Sequence, residues 1–189
     1  MLKLILIPII FISVSVGCEI AYAQNDKVPR EFVTDTLKDL ATKNYDELAN
    51  RFHMPPEYPN HVRQEETCSI KYKIVDMVEL FGVPERIGIL KNRYPYDLIG
   101  FGGGSIPYWI EHPKSIVLTF NAFYTNIGEG VLSLEIVKLS GVYELRTLRY
   151  GIYIKKENDR AKMNSIRDEV KRKRIERDTQ MVCKNSQKT

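Results

Sequence analysis

An alternating run at residues 115–125 constrains this chain more than any other stretch. Ile116, Leu118, Phe120, Ala122 and Tyr124 occupy every second position, so they share one face of an extended strand. Asn126-Ile127-Gly128-Glu129-Gly130 reads as a hairpin turn, and Leu132, Leu134 and Ile136 then resume the two-residue period. Ser140-Gly141 is a second tight turn, leading into a third strand over residues 142–154. The alternation slips between Arg146 and Leu148, which predicts a bulge there. Two hairpins in succession make an antiparallel meander.

Upstream, the apolar period lengthens to that of a helix. Pro29 suits a first helical turn, and Phe32, Val33, Leu37, Leu40 and Ala41 follow at helical spacing. Asn44, with Glu47 three residues later, predicts a variant capping box that opens a short second helix carrying Leu48, Ala49 and Phe52. Three prolines in Met54-Pro55-Pro56-Glu57-Tyr58-Pro59 exclude a helix there. A third helix is predicted over residues 61–81, with Tyr72, Val75, Val78 and Phe81 on one side and Gly82 and Pro84 as stop signals. Residues 86–110 interleave Tyr94, Tyr96, Phe101, Tyr108 and Trp109 with Pro95, Pro107 and Gly102-Gly103-Gly104, and read as irregular or kinked strands joined by a turn. Helices first and strands after indicate an α+β domain.

The N-terminus supplies an address. Lys3 is followed by an apolar run from Leu4 to Val16, and Ala21-Tyr22-Ala23 places small residues where a signal peptidase reads, before Gln24. Residues 1–23 are therefore expected to be a signal peptide, and the protein to be periplasmic or extracellular. The alternative is lipidation at Cys18, because Ser15-Val16-Gly17-Cys18 resembles a bacterial lipoprotein box. Either route exports the domain. Of the three cysteines, Cys68 and Cys183 lie outside the leader. An even count in an exported chain makes them a candidate disulfide, the alternative being two unpaired thiols.

The remaining 166 residues divide into residues 24–154, the α+β domain, and residues 155–189, which hold twelve Lys/Arg against six Asp/Glu. Since the whole chain carries only +4, the positive excess sits in this last segment. Asp168 with Arg172 and Glu169 with Lys173 are helix-type pairs, and Met163, Ile166 and Val170 form a short apolar stripe. The segment is expected to be a long, mostly solvated helix with a frayed end, removable without unfolding the domain. Lys171-Arg172-Lys173-Arg174 are the candidate contacts to an anionic partner.

Three stretches together resemble the nuclear transport factor 2-like (cystatin-like) superfamily. Over residues 32–52 a helix is followed by Asn44-Tyr45-Asp46-Glu47-Leu48, similar to an acidic entry to a second helix in exported members. The hairpin over residues 117–137 is the second stretch. The third is Gly141-Val142-Tyr143-Glu144-Leu145, similar to the terminal strand, with Tyr143 in place of Trp. The resemblance covers about two-thirds of the exported chain. It implies N-terminal helices packed into the concave side of a curved antiparallel sheet, a cone with a pocket, with the charged C-terminal helix added outside the pattern. Members include isomerases, dehydratases, ligand-binding proteins and assembly modules, so fold does not settle function. Catalytic members use Asp–Tyr or Asp–His pairs in the pocket, and no spacing here matches one.

Local motifs narrow the chemistry further. His53, His61 and His112 are the only histidines and none has a partner at metal-ligand spacing; they read as surface or boundary imidazoles. Gly100-Phe101-Gly102-Gly103-Gly104-Ser105 runs into Pro107 and aromatic residues instead of a helix, so it reads as a turn or sheet bend and not as a phosphate loop. The pocket candidates are Asp97 with Tyr94, Tyr96, Tyr108 and Trp109; a carboxylate against aromatic walls can serve as a base, while the plainer reading is a turn aspartate. The expected function is an exported non-catalytic binding or assembly module with no metal and no cofactor. Its partner would be a small apolar ligand or a protein, with a homodimer through the open sheet face as a further arrangement, and export argues against nucleic acid. The alternatives are a small pocket enzyme (isomerase, dehydratase or hydrolase) and an adaptor to an anionic envelope surface acting through the basic tail.

Overall fold

Proline and glycine set the helix boundaries in the first third of the chain. The computed structural model describes residues 28–90, 94–103, 115–180 and Cys183. Helix α1 spans Arg30–Ala41 after Pro29, whose φ of −56° leads into the first turn, and buries Val33, Leu37 and Leu40. Helix α2 spans Tyr45–Asn50 and buries Leu48 and Ala49. Asn44 stands at its N-cap, but the side-chain amide donates to Asp39 Oδ1 at 3.3 Å, so the expected capping box is not formed.

Helix α3 spans Asn60–Phe81. The Arg63 guanidinium donates to the carbonyl oxygens of Pro55, Pro56 and Tyr58, satisfying acceptors that the proline loop cannot pair internally. Gly82 ends the helix at a φ of 88°, as its stop signal predicts. The buried stripe is Ile70, Ile74, Met77, Val78 and Phe81. This corrects the expected face: Tyr72 and Val75 are only half-buried.

Five antiparallel strands follow: β1 Pro84–Ile89, β2 Tyr96–Gly102, β3 Ile116–Tyr124, β4 Gly128–Leu139 and β5 Val142–Tyr153. Their order in the curved sheet is β1-β3-β4-β5-β2. The meander is in register as the alternation requires, with Phe120 opposite Leu132 and Leu132 opposite Tyr150. Ser140 and Gly141 adopt φ of 49° and 87°, the double positive φ of a two-residue hairpin turn. Between the pairs Glu135–Thr147 and Ile136–Leu145 one residue, Arg146, is extra. This bulge lets both Leu145 and Leu148 point inward, fully buried. Of residues 86–110, the described part holds strands β1, with a register shift between Pro84 and Arg86, and β2; they do not pair with each other, since β1 joins β3 at one edge and β2 joins β5 at the other.

The helices cover one face of the sheet. Beneath them Phe81, Tyr124 and Tyr150 form an aromatic triad with centroids 5.4–5.7 Å apart, surrounded by Leu132, Leu134, Ile136 and Leu148. The Tyr124 hydroxyl donates to the Val131 carbonyl at 2.8 Å. Gly130 makes room for that ring, since a Cβ there would lie 2.9 Å from it and 2.4 Å from the Gly151 carbonyl oxygen.

Helix α4 spans Glu157–Gln180. Its stripe of Met163, Ile166 and Val170 is buried in the same core cluster as β5. Each such side chain contributes about 1.5–3 kcal/mol when fully buried. The helix is mostly solvated, as expected, and its short apolar stripe is the part that joins the core. A disulfide joins Cys183 to Cys68 of α3, with Cα atoms 5.8 Å apart.

Candidate functional site

Helices α3 and α4 run antiparallel, because Glu79 meets Lys173, Asp76 meets Arg177 and Cys68 meets Cys183. Between them lies a groove of about 460 Å³, bounded at one end by the disulfide. That volume falls within the range of small-molecule sites. Its α3 wall presents Glu65, Glu66, Ser69, Tyr72, Lys73 and Asp76, a succession at helical spacing on one face. Its α4 wall presents Arg174, Arg177 and Asp178.

The charges fall into two groups. Asp76 and Arg177 are committed to each other, with Nη1 donating to Oδ2 at 2.7 Å and Nη2 donating to Oδ1. The Arg177 guanidinium also lies 4.7 Å from the centre of the Tyr72 ring. Burial raises the Asp76 carboxyl above the usual aspartate range, and the neighbouring Arg177 only partly offsets this. By contrast, Lys73, Arg174, Glu65, Glu66 and Asp178 line the groove, and none has an oppositely charged side chain within 4.0 Å among the described residues. Burial pushes the Lys73 ammonium below the usual lysine range. Glu66 and Asp178 oppose that shift and Arg174 adds to it.

A second arrangement lies elsewhere. His53 is buried, correcting the expectation of a surface or boundary imidazole, and its Nδ1 is 2.6 Å from Glu144 Oε2. Its Nε2 is buried without a hydrogen-bond partner among the described residues. A carboxylate-oriented imidazole is half of a general-base arrangement, but among the described residues no hydroxyl or thiol is hydrogen-bonded to its Nε2. The backbone around it is held by His53 N donating to Leu145 O at 2.7 Å, so the pair also ties the loop after α2 to β5.

Of the sequence-predicted pocket residues, the three described ones do not converge. Asp97 sits on the helix side of β2 and accepts from Arg167 of α4 at 2.5 Å. Tyr94 and Tyr96 are exposed and pack edge-on against Tyr153, 6.3 and 6.5 Å away, with Lys155 5.1 Å over Tyr94. Tyr108 and Trp109 lie outside the described residues, as do the leader and Cys18. The basic run is largely spent on intramolecular pairs: Lys171 with Asp168 at 3.7 Å, Arg172 with Glu169 and Glu176, and Lys173 with Glu79 at 2.6 Å. Only Arg174 of the four turns into the groove. Lys173 thus leaves its own helix for α3 instead of pairing with Glu169. Among the described residues no three His, Cys, Asp or Glu side chains converge as metal ligands, and no helix is long and apolar enough to cross a membrane.

Comparison with protein-family models, curated proteins and solved structures yields no significant match. The groove therefore rests on its own geometry. The sequence reasoning passed over Glu66 and Lys73 because a charged α3 residue reads as solvated until α4 is laid across it. The available signal was Cys68, which marks the side of α3 that faces the C-terminal helix.

Proposed function

We propose that this chain is an exported, non-catalytic binding module of the nuclear transport factor 2-like shape, and that it binds through the α3–α4 groove and not through the interior of its curved sheet. One contrast carries this reading. The space under the sheet is filled by Phe81, Tyr124, Tyr150, Leu132, Leu134 and Ile136, whereas the groove outside holds charged side chains uncommitted to any ion pair. Lys73 is kept partly desolvated without an ion pair, which costs stability and marks a surface shaped for something other than folding. The disulfide that bounds the groove agrees with an oxidising compartment, as the leader implies. The tail as an envelope adaptor is less well supported, since Lys171, Arg172 and Lys173 already have carboxylate partners.

The test is native mass spectrometry of the protein isolated from its exported fraction, wild type beside Lys73→Glu. A bound mass present on the wild type and lost from the variant is expected. Identical spectra, with or without a bound mass, refute the groove as the binding surface.

A further inference from the structure

The two edges of the sheet differ. β1 is blunted: Pro84 lacks a donor, the register with β3 shifts between Pro84 and Arg86, and Glu85 and Arg86 put charge beside the break. β2 carries none of these devices. It keeps one register with β5 from Tyr96 to Gly102, and its single charge, Asp97, is engaged by Arg167 on the helix side. The hydrogen bonds that flank the strand, Ile154 N donating to Pro95 O and Gly103 N donating to Arg146 O, fix which groups face β5. They are those of the odd-numbered residues, so the main-chain N–H and C=O of Tyr96, Leu98, Gly100 and Gly102 point away from the sheet. All four residues are at least partly exposed. None of these outward groups has a hydrogen-bond partner among the described residues, where β2 is an edge strand. The side chains along this edge are unequal: Tyr96 and Leu98 are large, while positions 100 and 102 carry none. Glycine is imposed there by β5, since a Cβ at Gly100 would lie 2.3 Å from Leu148 O and one at Gly102 2.8 Å from Arg146 O.

We propose that this protein forms a homodimer by antiparallel pairing of β2 with β2 of a second copy, about a two-fold axis at Ile99, so that one sheet runs through both protomers. In that register Tyr96 faces the partner's Gly102, Leu98 faces the partner's Gly100, and Ile99 meets the partner's Ile99 on the helix side. No other two-fold register engages all four outward residues of each strand. Each facing pair exchanges two hydrogen bonds, about eight in all. Every large outward side chain then lies over a glycine of the partner, the cross-strand arrangement that covers bare positions of a strand. Sliding the partner by two residues leaves one facing pair unmade and sets Leu98 against the partner's Leu98. An unrelated strand could gain the same hydrogen bonds, but nothing obliges it to bring small residues opposite Tyr96 and Leu98 and large ones opposite the glycines. A second copy does so by symmetry. This dimer uses the edge of the sheet and not the open face expected from the sequence.

Sedimentation velocity of the intact, oxidised protein from about 5 μM to about 0.5 mM tests this, with a shift from monomer to dimer expected within that range. Hydrogen exchange at the two ends of the series locates the contact. The amides of Tyr96, Leu98, Gly100 and Gly102 should exchange at least about tenfold more slowly in the dimer, while those of Asp97, Ile99 and Phe101, already bonded to β5, change less. Ile99→Cys should form a covalent dimer under mild oxidation, because facing residues of a non-hydrogen-bonded pair have Cα atoms about 4.5 Å apart. Tyr96→Cys, more exposed but about 20 Å from its counterpart, should not. A monomer at every concentration overturns the proposal and leaves the edge to a foreign strand. A dimer in which those four amides gain no protection, or equal cross-linking of the two cysteine variants, overturns it as well. The wild-type measurements decide the matter by themselves if Ile99→Cys does not fold.

Discussion

Arg177 reaches from the last turns of α4 to Asp76 of α3 and engages both oxygens of a carboxylate that is only 2% exposed. The pair is the deepest ionic contact between the two helices. Replacing Arg177 by Met leaves a buried carboxylate uncompensated, which costs about 3–5 kcal/mol. The pH dependence has a definite sign. Burial already holds the Asp76 carboxyl above 3.8, and Arg177 is the chief group pulling it back, so the variant raises it further. A raised carboxyl pKa means that the native state holds the proton over a window where the unfolded chain has lost it. Stability therefore falls as pH rises through that window. The deficit of Arg177→Met relative to wild type should be largest at neutral pH and shrink on acidification. Urea denaturation of both proteins at neutral and mildly acidic pH checks this; a pH-independent deficit would point to lost packing on Tyr72 instead.

Lys73→Met should behave in the opposite way. The ammonium is partly desolvated and has no ion pair within 4.0 Å among the described residues. Removing it should leave stability unchanged or up to about 1 kcal/mol higher. Wild-type stability should rise slightly as pH climbs from the lowered lysine pKa to the ordinary one, and the variant should lose that rise. Thermal melts from neutral to alkaline pH measure it. A loss of stability at neutral pH would show that Lys73 serves the fold.

Reduction of the Cys68–Cys183 bond, or Cys68→Ser with Cys183→Ser, releases a cross-link across 115 residues. The chain-entropy account sets an upper limit of about 5 kcal/mol, with about 2–4 kcal/mol the usual outcome. Urea midpoints with and without dithiothreitol check the size. The end of α4 should then lose protection in hydrogen exchange before the sheet does.

Met163 is fully buried between α4 and the core. Met163→Ala should cost about 2–4 kcal/mol through the lost side chain and its cavity. Ending the chain at Ile154 removes Met163, Ile166 and Val170 together, and the truncated protein should not show a cooperative thermal transition. A sharp melt near the wild-type temperature would restore residues 24–154 as an independent domain.

Gly141 and Gly130 separate two reasons for glycine. At Gly141 a Cβ would meet nothing within 4 Å, but φ is 87°, so Gly141→Ala tests backbone strain alone and should cost about 1 kcal/mol. At Gly130 a Cβ would lie 2.4 Å from the Gly151 carbonyl oxygen. Gly130→Ala should therefore cost more, about 2 kcal/mol or above, and shift the β4–β5 pairing. Denaturation midpoints rank the two.

The meander was legible in the sequence because its information is local. Residues 116–124 alternate every second position, Ser140-Gly141 permits one turn geometry, and the slip at Arg146 marks an extra residue, each acting within a few positions along the chain. The helix start at Pro29 and the stop at Gly82 are local in the same sense. What tertiary structure alone decided lies between elements far apart in sequence. The placement of β1 and β2 at opposite edges depends on which partner strands are free, and no local pattern encodes that. The sequence shows that Lys73, Glu66 and Arg174 are charged, but a charge on a helix has no meaning for binding until a second helix turns its surroundings from water into a groove. The burial of Met163 and the engagement of Arg177 follow from the same docking of α4 on α3, about a hundred residues away along the chain. An apolar stripe of three residues is too short to announce that docking, because its free energy comes from the surface it meets and not from the segment that carries it.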